Sequence, residues 1–216
     1  MPTTLEERTR PSHGERRRRA ILAAAVDLGS AEGLGSLSIA RLAEATGMSK
    51  SGLFAHFGSK QGLQLATVDA AQADFERRVL EPAQHRDPGL DRLRALLGSW
   101  IDYVDGIEFR GGCFFYQTTS EYGSQSGPVH DRLAQLALSW IRSLVVEARV
   151  ARRQRELRPE ADPEQLVFGL HACVQEANWA RQLFGDVRAF ERARSAVRAA
   201  IDAAASSPSP PRGDTL

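Results

Sequence analysis

Apolar residues in the first third of the chain recur at helical spacing, in four segments separated by glycine and serine. The first segment ends at Gly33, the second and third cover 38–46 and 49–57, and the fourth continues to about Leu80. Three short helices that lead into a longer one predict a small helical bundle. The first segment takes its apolar face from Ile21, Leu22, Ala25, Val26 and Leu28.

Helix-capping residues mark the boundaries of the second and third segments. Ser38 and Ser49 precede them, and a serine hydroxyl at this position accepts a hydrogen bond from an amide of the first turn. Gly47 lies just past the second segment, where the backbone usually needs positive φ. Each helix is too short to be stable alone, so both must pack on their neighbours. Two short helices joined by a tight turn predict a helix-turn-helix.

The third segment combines an apolar footing with a polar tip. Leu53, Phe54 and Phe57 recur at helical spacing and are predicted to form the footing. The polar residues at 50, 51 and 56 are then left to point elsewhere. A short helix of this kind is suited to insertion into a DNA major groove.

Three runs in this region, Leu37–Ala43, Gly47–Ser51 and Leu53–Lys60, keep a specific spacing. Across residues 15 to 62 they resemble the N-terminal domain of TetR-family transcriptional regulators. The resemblance implies an all-α fold of about nine helices, with a helix-turn-helix DNA-binding domain followed by a helical ligand-binding and dimerisation domain. It also implies a homodimer that binds a palindromic DNA operator, most often as a repressor, and is released by a small-molecule effector.

Two positions depart from the family's usual pattern. Phe54 stands where a tyrosine hydroxyl typically reaches a phosphate, and Gly52 replaces a threonine and weakens the helix by roughly 1 kcal/mol relative to alanine. Both changes make the operator sequence harder to infer. The residues expected to contact DNA are Arg16, Arg17, Ser38, Ala40, Arg41, Ser49, Lys50, Ser51, Gly52, Phe54, His56 and Lys60.

Each of these contacts has a simpler alternative. Lys60 lies in the first turn of a helix, where a cation opposes the macrodipole, and a phosphate bound by Lys60 and the helix amides together resolves that conflict. Lys60, Lys50 and His56 are otherwise ordinary surface or helix-end residues. Arg41 either faces the groove or is a solvated helix charge. Ala40 offers only a methyl group, for example to thymine.

Charge supports DNA binding through its distribution, since the whole chain has a net charge of only +1. The segment between Arg8 and Lys60 contains nine lysines and arginines but only four acidic residues. Such an excess favours phosphate contact and makes affinity depend on salt. Arginines 16–19 either lie along the DNA or belong to a solvated tail. Residues 1–14 are predicted to be a disordered arm.

The rest of the chain has a helical pattern with little candidate chemistry. Three helices are expected to open at X-Pro pairs, Asp87–Pro88, Gly127–Pro128 and Asp162–Pro163, because proline is well tolerated at the first helical position. Gly185 is expected to end the helix that opens at Asp162–Pro163. The predicted helices cover 88–105, 111–122, 128–156, 163–184 and 187–204.

The patterns divide the chain into four parts. A DNA-binding domain with its linking helix covers 15–80, and a regulatory and dimerisation domain covers 81–205. The arm at 1–14 precedes them, and a tail at 206–216, rich in serine and proline, is predicted to be disordered.

The last two helices are the best candidates for dimerisation, because both have broad apolar faces. Two such helices from each subunit form a four-helix interface. Alternatively, these faces only complete the core of one chain. The predicted interface residues are Leu166, Leu170, Val174, Ala177, Phe190, Val197 and Ile201.

Aromatic and polar side chains in the C-terminal region are candidates for a ligand pocket, since such sites combine apolar walls with a few polar anchors. Core packing is the alternative for each aromatic. Cys113 has an apolar neighbourhood, which favours an inert thiol over a redox sensor. The candidate ligand-binding residues are Trp100, Tyr103, Phe114, Phe115, Thr118, Trp140, His171, Gln175 and Trp179.

Several other classes of protein are disfavoured. There is no apolar run long enough to span a membrane, no signal peptide, and no disulfide framework from two cysteines, so a cytoplasmic protein is expected. Catalytic and nucleotide-binding motifs are missing and the five histidines lack metal-ligand spacing, so no cofactor, metal or enzymatic activity is expected. The remaining alternatives are an interaction protein with a degenerate helix-turn-helix and an α-helical enzyme.

Overall fold

The computed structural model describes residues 13–106 and 110–206. Within these ranges the chain forms nine helices and no strand, with one isolated bridge between Leu157 and Ala205. The predicted all-α fold is confirmed. The predicted arm and tail lie outside the described residues, except that His13 and Gly14 begin the first helix and Ser206 donates its N–H to the carbonyl of Glu156.

Four helices make up the N-terminal part. The fourth, α4, begins as Lys60–Phe75, continues through a π-helical segment, Glu76–Leu80, and ends with the turn Glu81–Ala83. Among the described residues, no helix is long and apolar enough to cross a bilayer. The other helices are α1 (His13–Glu32), α2 (Ile39–Thr46), α3 (Lys50–Phe57), α5 (Leu90–Asp105), α6 (Phe114–Tyr122), α7 (Pro128–Arg153), α8 (Pro163–Phe184) and α9 (Ala189–Ala204).

The chain divides into two compact units. The first contains Met1–Ala73 and Phe109–Arg132, and the second contains Asp74–Glu108 and Leu133–Leu216. The segment around α6, which the sequence pattern assigned to the regulatory domain, thus belongs to the same unit as the helix-turn-helix. The boundaries of the two functional domains, 15–80 and 81–205, stay a prediction.

In the first unit, α6 packs on α1 at a close approach of the two backbones. Phe114 is fully buried and lies against Gly29, where a side chain would crowd its ring. A side chain at Gly111 would overlap the backbone of Ser30. Gly111 and Gly112 form a turn before the helix, with a φ of 76° at Gly112, and α6 begins at Phe114, three residues later than predicted.

A carboxylate of α6 also holds the loop between α1 and α2. The Glu121 side chain accepts hydrogen bonds from the backbone N–H groups of Leu34 (2.8 Å) and Gly35 (2.7 Å). The Gln64 side-chain amide of α4 donates to the Leu34 carbonyl (2.8 Å) and lies 3.3 Å from the Tyr122 hydroxyl. The backbone N–H groups of Leu34 and Gly35 and the carbonyl of Leu34 are therefore satisfied by side chains from distant parts of the chain.

In the second unit, α8 packs along α9, and α5 packs on both of these helices and on the end of α4. Asp162 caps α8 by accepting hydrogen bonds from the backbone of Glu164 and Gln165, and Gly185 ends it with a φ of 66°. Both predicted boundaries of α8 are confirmed. The predicted start of α7 at Pro128 is also confirmed, although α7 ends at Arg153 and α9 begins at Ala189, slightly inside the predicted limits.

The predicted opening of α5 at Asp87–Pro88 is wrong. The helix begins at Leu90, after Gly89 with a φ of 113°. Its first amides are satisfied by acidic side chains far along the chain, because Gly89 donates to Glu147 (2.9 Å) and Leu90 donates to Glu156 (2.9 Å). Carboxylates from α7 and the residues after it replace the local aspartate as the cap.

Candidate functional site

The turn between α2 and α3 has the geometry that the sequence predicted. Ser38 accepts a hydrogen bond from the Arg41 amide (3.1 Å), and Ser49 accepts one from the Gly52 amide (3.2 Å). Gly47 adopts the left-handed conformation with a φ of 66°. Each serine oxygen accepts one capping bond, and its hydroxyl proton can still be donated to a phosphate.

The footing of α3 is narrower than predicted. Leu53 and Phe57 are buried, at 0% and 9% exposure, whereas Phe54 is 57% exposed. The prediction that Phe54 belongs to the apolar footing is therefore wrong. Leu53 and Phe57 occupy the buried positions, and Phe54, next to Leu53, falls on a different face of the two-turn helix.

The polar residues of α3 lie on its accessible surface. Lys50, Ser51 and His56 are all exposed, and Ser51 Oγ is 3.5 Å from Ser49 Oγ. On α2, Ala40 is exposed and lines an open groove that Lys50 also lines.

A close contact fixes where α4 starts relative to α3. A Cβ atom at Gly62 would overlap the carbonyl oxygen of Phe57, so only glycine fits in this first turn. Ser59 accepts a hydrogen bond from the Gly62 amide (2.9 Å) and its carbonyl accepts one from Leu63 (3.0 Å). The backbone N–H groups of Lys60 and Gln61 lie in the first turn of α4, where no carbonyl of the same helix can accept their hydrogen bonds.

The guanidinium of Arg41 is engaged in an ion-pair network. It donates to both oxygens of Glu32, at 2.6 Å and 2.8 Å, and to Glu44 at 3.4 Å. The hydrogen bond to Glu32 is the main cause that raises the pKa of Arg41, and the same bond lowers the pKa of Glu32. Of the two interpretations of Arg41, this contact favours the surface helix charge over the groove contact.

The arginine cluster opens α1 instead of preceding it. Arg16 and Arg17 are exposed on the first turns of the helix. The guanidinium carbon of Arg18 lies 5.4 Å from the centre of the Phe57 ring, which connects the start of α1 to the footing of α3. The Arg18 side chain therefore lies beside the helix-turn-helix.

Within the second unit, several predicted ligand residues form one aromatic cluster. The rings of Trp100 and His171 stack with centroids 5.0 Å apart, and Trp100 meets Trp140 edge-on at 5.4 Å. Tyr103 and Trp140 both pack on Phe75, at 5.5 Å and 5.1 Å. Burial lowers the pKa of His171, because desolvation disfavours the imidazolium.

Two buried donors of this unit have no hydrogen-bond partner among the described residues. They are the indole N–H of Trp140 and the side-chain amide nitrogen of Asn178. Asn178 lies two turns beyond His171 on α8, a spacing that places both on one side of the helix. Buried donors of this kind are normally satisfied by water or a ligand.

The remaining predicted ligand residues differ in their surroundings. Phe114 and Thr118 are fully buried in the first unit, and the Thr118 hydroxyl donates to the Phe114 carbonyl (2.8 Å). These contacts favour core packing for both. Phe115 packs edge-on against Phe114, Gln175 is partly exposed, and Trp179 packs edge-on against Phe184. Burial also raises the pKa of the Cys113 thiol, which favours an inert cysteine.

The predicted dimer residues are mostly inside the single chain. All except the partly exposed Leu166 are buried, so their side chains complete the core between α8, α9 and α5 and are not available to a partner subunit. The exposed apolar residues of the second unit lie elsewhere, on α7, on the outer face of α8 and just after α8. They are Leu138, Ile141, Val146, Phe168, Trp179, Leu183, Phe184 and Val187.

Two residues have structural roles that the sequence patterns do not predict, Glu121 and Gly62. A glycine in the first turn of a helix is consistent with a close approach of another backbone group, as Gly62 makes with the Phe57 carbonyl. No local signal identifies Glu121, because its partners are more than 80 residues away. No group of three metal-ligating side chains occurs among the described residues.

Comparison with known proteins gives two family matches. Residues 21–67 match the model for bacterial regulatory proteins of the tetR family. Residues 89–197, half of the chain, match the model for the Tetracyclin repressor-like C-terminal domain. No curated protein sequence matches the chain.

Solved structures agree with the family matches. A TetR transcriptional regulator from Chloroflexus aurantiacus is 25% identical, with a TM-score of 0.77 over 89% of this chain and 97% of that chain. A TetR-family regulator from Cytophaga hutchinsonii is 19% identical and similar in fold, with a TM-score of 0.76 over 93% of this chain and 100% of that chain. AibR, solved in complex with isovaleryl coenzyme A and operator DNA, is 25% identical, with a TM-score of 0.66 over 83% of this chain and 94% of that chain.

These matches account for both the capped helix-turn-helix and the helical region that follows it. They place the chain among DNA-binding regulators and not among enzymes. The chain belongs to the TetR family of transcriptional regulators.

Proposed function

We propose that the protein is a cytoplasmic, ligand-responsive repressor that binds a palindromic operator as a homodimer and leaves it when a small-molecule effector binds. The observation that carries this proposal is the surface of the helix-turn-helix. Lys50, Ser51 and His56 are exposed on a helix that Leu53 and Phe57 anchor in the core. Residues 15–80 would bind DNA, and 81–205 would sense the effector and dimerise.

Lys60 and the start of α4 are proposed to bind a phosphate. A cation at a helix N-terminus is unfavourable unless an anion is held between them. The amides of Lys60 and Gln61 point out of the helix, and the lysine is exposed beside them. Lys50 and Ser51, in the first turn of α3, are placed to meet base edges or phosphates, with Arg16 and Arg17 adding backbone contacts.

The homodimer is proposed to form through the exposed apolar face of α8 together with α7. Phe168, Leu183 and Phe184 are each more than half exposed in the single chain. Large exposed apolar patches on one face mark association surfaces, because burying them removes apolar area from water. A twofold axis through this surface would place two copies of α3 on half-sites about one DNA turn apart.

The effector is proposed to bind beside the aromatic cluster of Trp100, Tyr103, Trp140 and His171. The unpartnered donors of Trp140 and Asn178 favour a ligand with an acceptor oxygen on an apolar body. The related AibR was solved with isovaleryl coenzyme A, which makes that acyl thioester a reasonable first probe. Effector binding would shift the population away from the DNA-binding conformation by favouring a different arrangement of the dimer.

Selection of genomic DNA fragments by the purified protein tests the proposed function. A palindromic sequence is expected to be enriched and to be lost from the bound fraction when the effector is added. Failure to enrich any sequence would leave the chain with the family fold but favour an interaction protein whose helix-turn-helix no longer binds DNA.

Tryptophan fluorescence tests the effector site separately, because the chain has only three tryptophans. In a Trp179→Phe background, the signal comes from Trp100 and Trp140 alone. Isovaleryl coenzyme A is expected to change that emission in a saturable way, with coenzyme A alone as the control. A response that persists when both Trp140→Phe and Asn178→Leu are introduced would contradict the placement of the site.

A further inference from the structure

Phe54 is the one large apolar side chain that is exposed within the described residues of the first unit, 13–73 and 110–132. Its neighbour Leu53 is completely buried. An exposed phenyl ring gains free energy only when another surface removes its carbon atoms from water. The helix that faces DNA therefore presents an apolar ring next to the charged Lys50.

Besides Lys50 and Ser51, one turn before Phe54, the accessible surface of the helix-turn-helix contains small residues. Gly52 has no side chain, Ala55 is an exposed methyl group, and Ala40 on α2 is another. Ala40 lines the same open groove as Lys50. Ala40, Phe54 and Ala55 therefore add apolar contact points to a surface that also carries polar side chains able to bind base edges.

The nearby side chain best suited to guanine is already engaged. An arginine that recognises guanine donates two parallel hydrogen bonds to the O6 and N7 atoms. The Arg41 guanidinium instead donates two hydrogen bonds to the carboxylate of Glu32, at 2.6 Å and 2.8 Å. Arg41 could recognise guanine only if its ion pair with Glu32 opened. The cost of opening that pair would reduce what Arg41 contributes to sequence specificity.

We propose that Phe54 contacts the C5-methyl group of thymine, with Ala40 as a second apolar contact, so that thymine methyl groups select the half-site. Thymine is the only base that carries an apolar group on its major-groove edge. Phe54 has no hydroxyl and donates no hydrogen bond to a phosphate. Its contribution to the free energy of DNA binding therefore comes from apolar contact. This inference rests on the proposed DNA-binding function.

Replacement of thymine by uracil tests the inference, because it removes only the methyl group. A random-sequence duplex library is prepared once with thymine and once with uracil, and the selected sequence is then measured with uracil at one position at a time. Uracil at the contacted position is expected to weaken binding about fourfold, and about fifteenfold when both half-sites are changed, as expected for the burial of one methyl group in each. The hydrogen-bonding pattern of the base pair stays the same.

Two variants identify the residue that senses the methyl group. Phe54→Ala is expected to bind with equal affinity to duplexes that carry thymine or uracil at the position contacted by Phe54, and its fold should persist because the ring is exposed. Lys50→Ala is the matched control, expected to weaken binding to both duplexes while keeping their ratio. Circular dichroism and urea unfolding verify that each variant is folded.

The outcomes separate this inference from the proposed function. If a sequence is enriched but thymine and uracil duplexes bind equally well, the inference is overturned and the DNA-binding function stands. If Phe54→Ala keeps the preference for thymine, another residue senses the methyl group and the assignment to Phe54 is wrong. If neither library yields an enriched sequence, the proposed function fails and the inference fails with it.

Discussion

Lys60 carries a positive charge at the end of a helix where the macrodipole is also positive. We expect Lys60→Ala to weaken binding to all DNA sequences alike and to reduce the slope of log affinity against log salt by about 0.9 for each phosphate that is no longer neutralised. Titrations at several salt concentrations measure this slope. Arg198→Ala, which removes an equal charge from the exposed surface of α9, is the matched control and should leave the slope unchanged. An unchanged slope for Lys60→Ala would contradict the proposed phosphate site.

His171 makes stability depend on pH in a direction fixed by its burial. Its pKa in the folded protein lies below the ordinary value, so the unfolded chain binds a proton first as the pH falls. The free energy of unfolding should therefore be highest above pH of about 6.5 and decline below it, by at most about 1.4 kcal/mol per pH unit from this group. Urea unfolding at pH 7 and pH 5 measures the decline.

His171→Phe keeps a ring against Trp100 and removes the titrating group, so it should reduce the decline between pH 7 and pH 5. His130→Gln is the matched control, because His130 is a partly exposed histidine that pairs with Asp131. A decline of equal size in wild type and His171→Phe would show that other groups control the acid sensitivity.

At the scale of elements, Glu121 connects α6 to the loop that leads into α2. We expect Glu121→Gln to lower the free energy of unfolding by about 1–3 kcal/mol, because the neutral amide cannot accept both backbone hydrogen bonds as the carboxylate does. Urea unfolding measures the change. Glu44→Gln, which alters only an exposed ion pair on α2, should cost less than about 0.5 kcal/mol. Equal stability of Glu121→Gln and wild type would mean that the loop keeps its shape without this carboxylate.

Local caps explain which element boundaries the sequence could predict. Ser38, Ser49 and Asp162 satisfy amides two or three residues away, so their signals lie within a single turn of sequence. The start of α5 follows a different rule, because Glu147 and Glu156 supply its cap from 58 and 66 residues away. Local patterns carry no information about such partners, which is why the helix was placed at the wrong residue.

At the scale of the whole molecule, helical periodicity identified apolar faces but not what covers them. The apolar stripes of α8 and α9 predict a dimer interface, but α8 also has large exposed apolar residues near its C-terminal end. Burial of Leu170, Val174 and Ile201 places these stripes in the core of the chain. The exposed residues Leu183 and Phe184 lie at the C-terminal end of α8, and nothing in the local sequence distinguishes the apolar residues that the chain covers from those that it leaves exposed.

The proposed dimer can be tested on the exposed face alone. Leu183→Glu should give a monomer in sedimentation analysis, because it buries a charge in the apolar interface. Ala199→Glu is the matched control: it adds the same charge to the exposed side of α9, where no large apolar residue is exposed, and should leave the dimer intact. Dissociation by Ala199→Glu would instead indicate an interface that includes α9.

The same pair of variants connects the dimer to DNA recognition. A dimer holds two copies of α3 at a fixed separation, so its affinity should depend sharply on the spacing between half-sites, with an optimum near one DNA turn. The Leu183→Glu monomer should bind weakly at every spacing, because each half-site then binds without the gain in effective concentration. Ala199→Glu should keep the wild-type optimum. If Leu183→Glu is monomeric yet keeps the spacing optimum, two chains must still associate on DNA through some other surface, and the proposed role of the α7 and α8 face would be wrong.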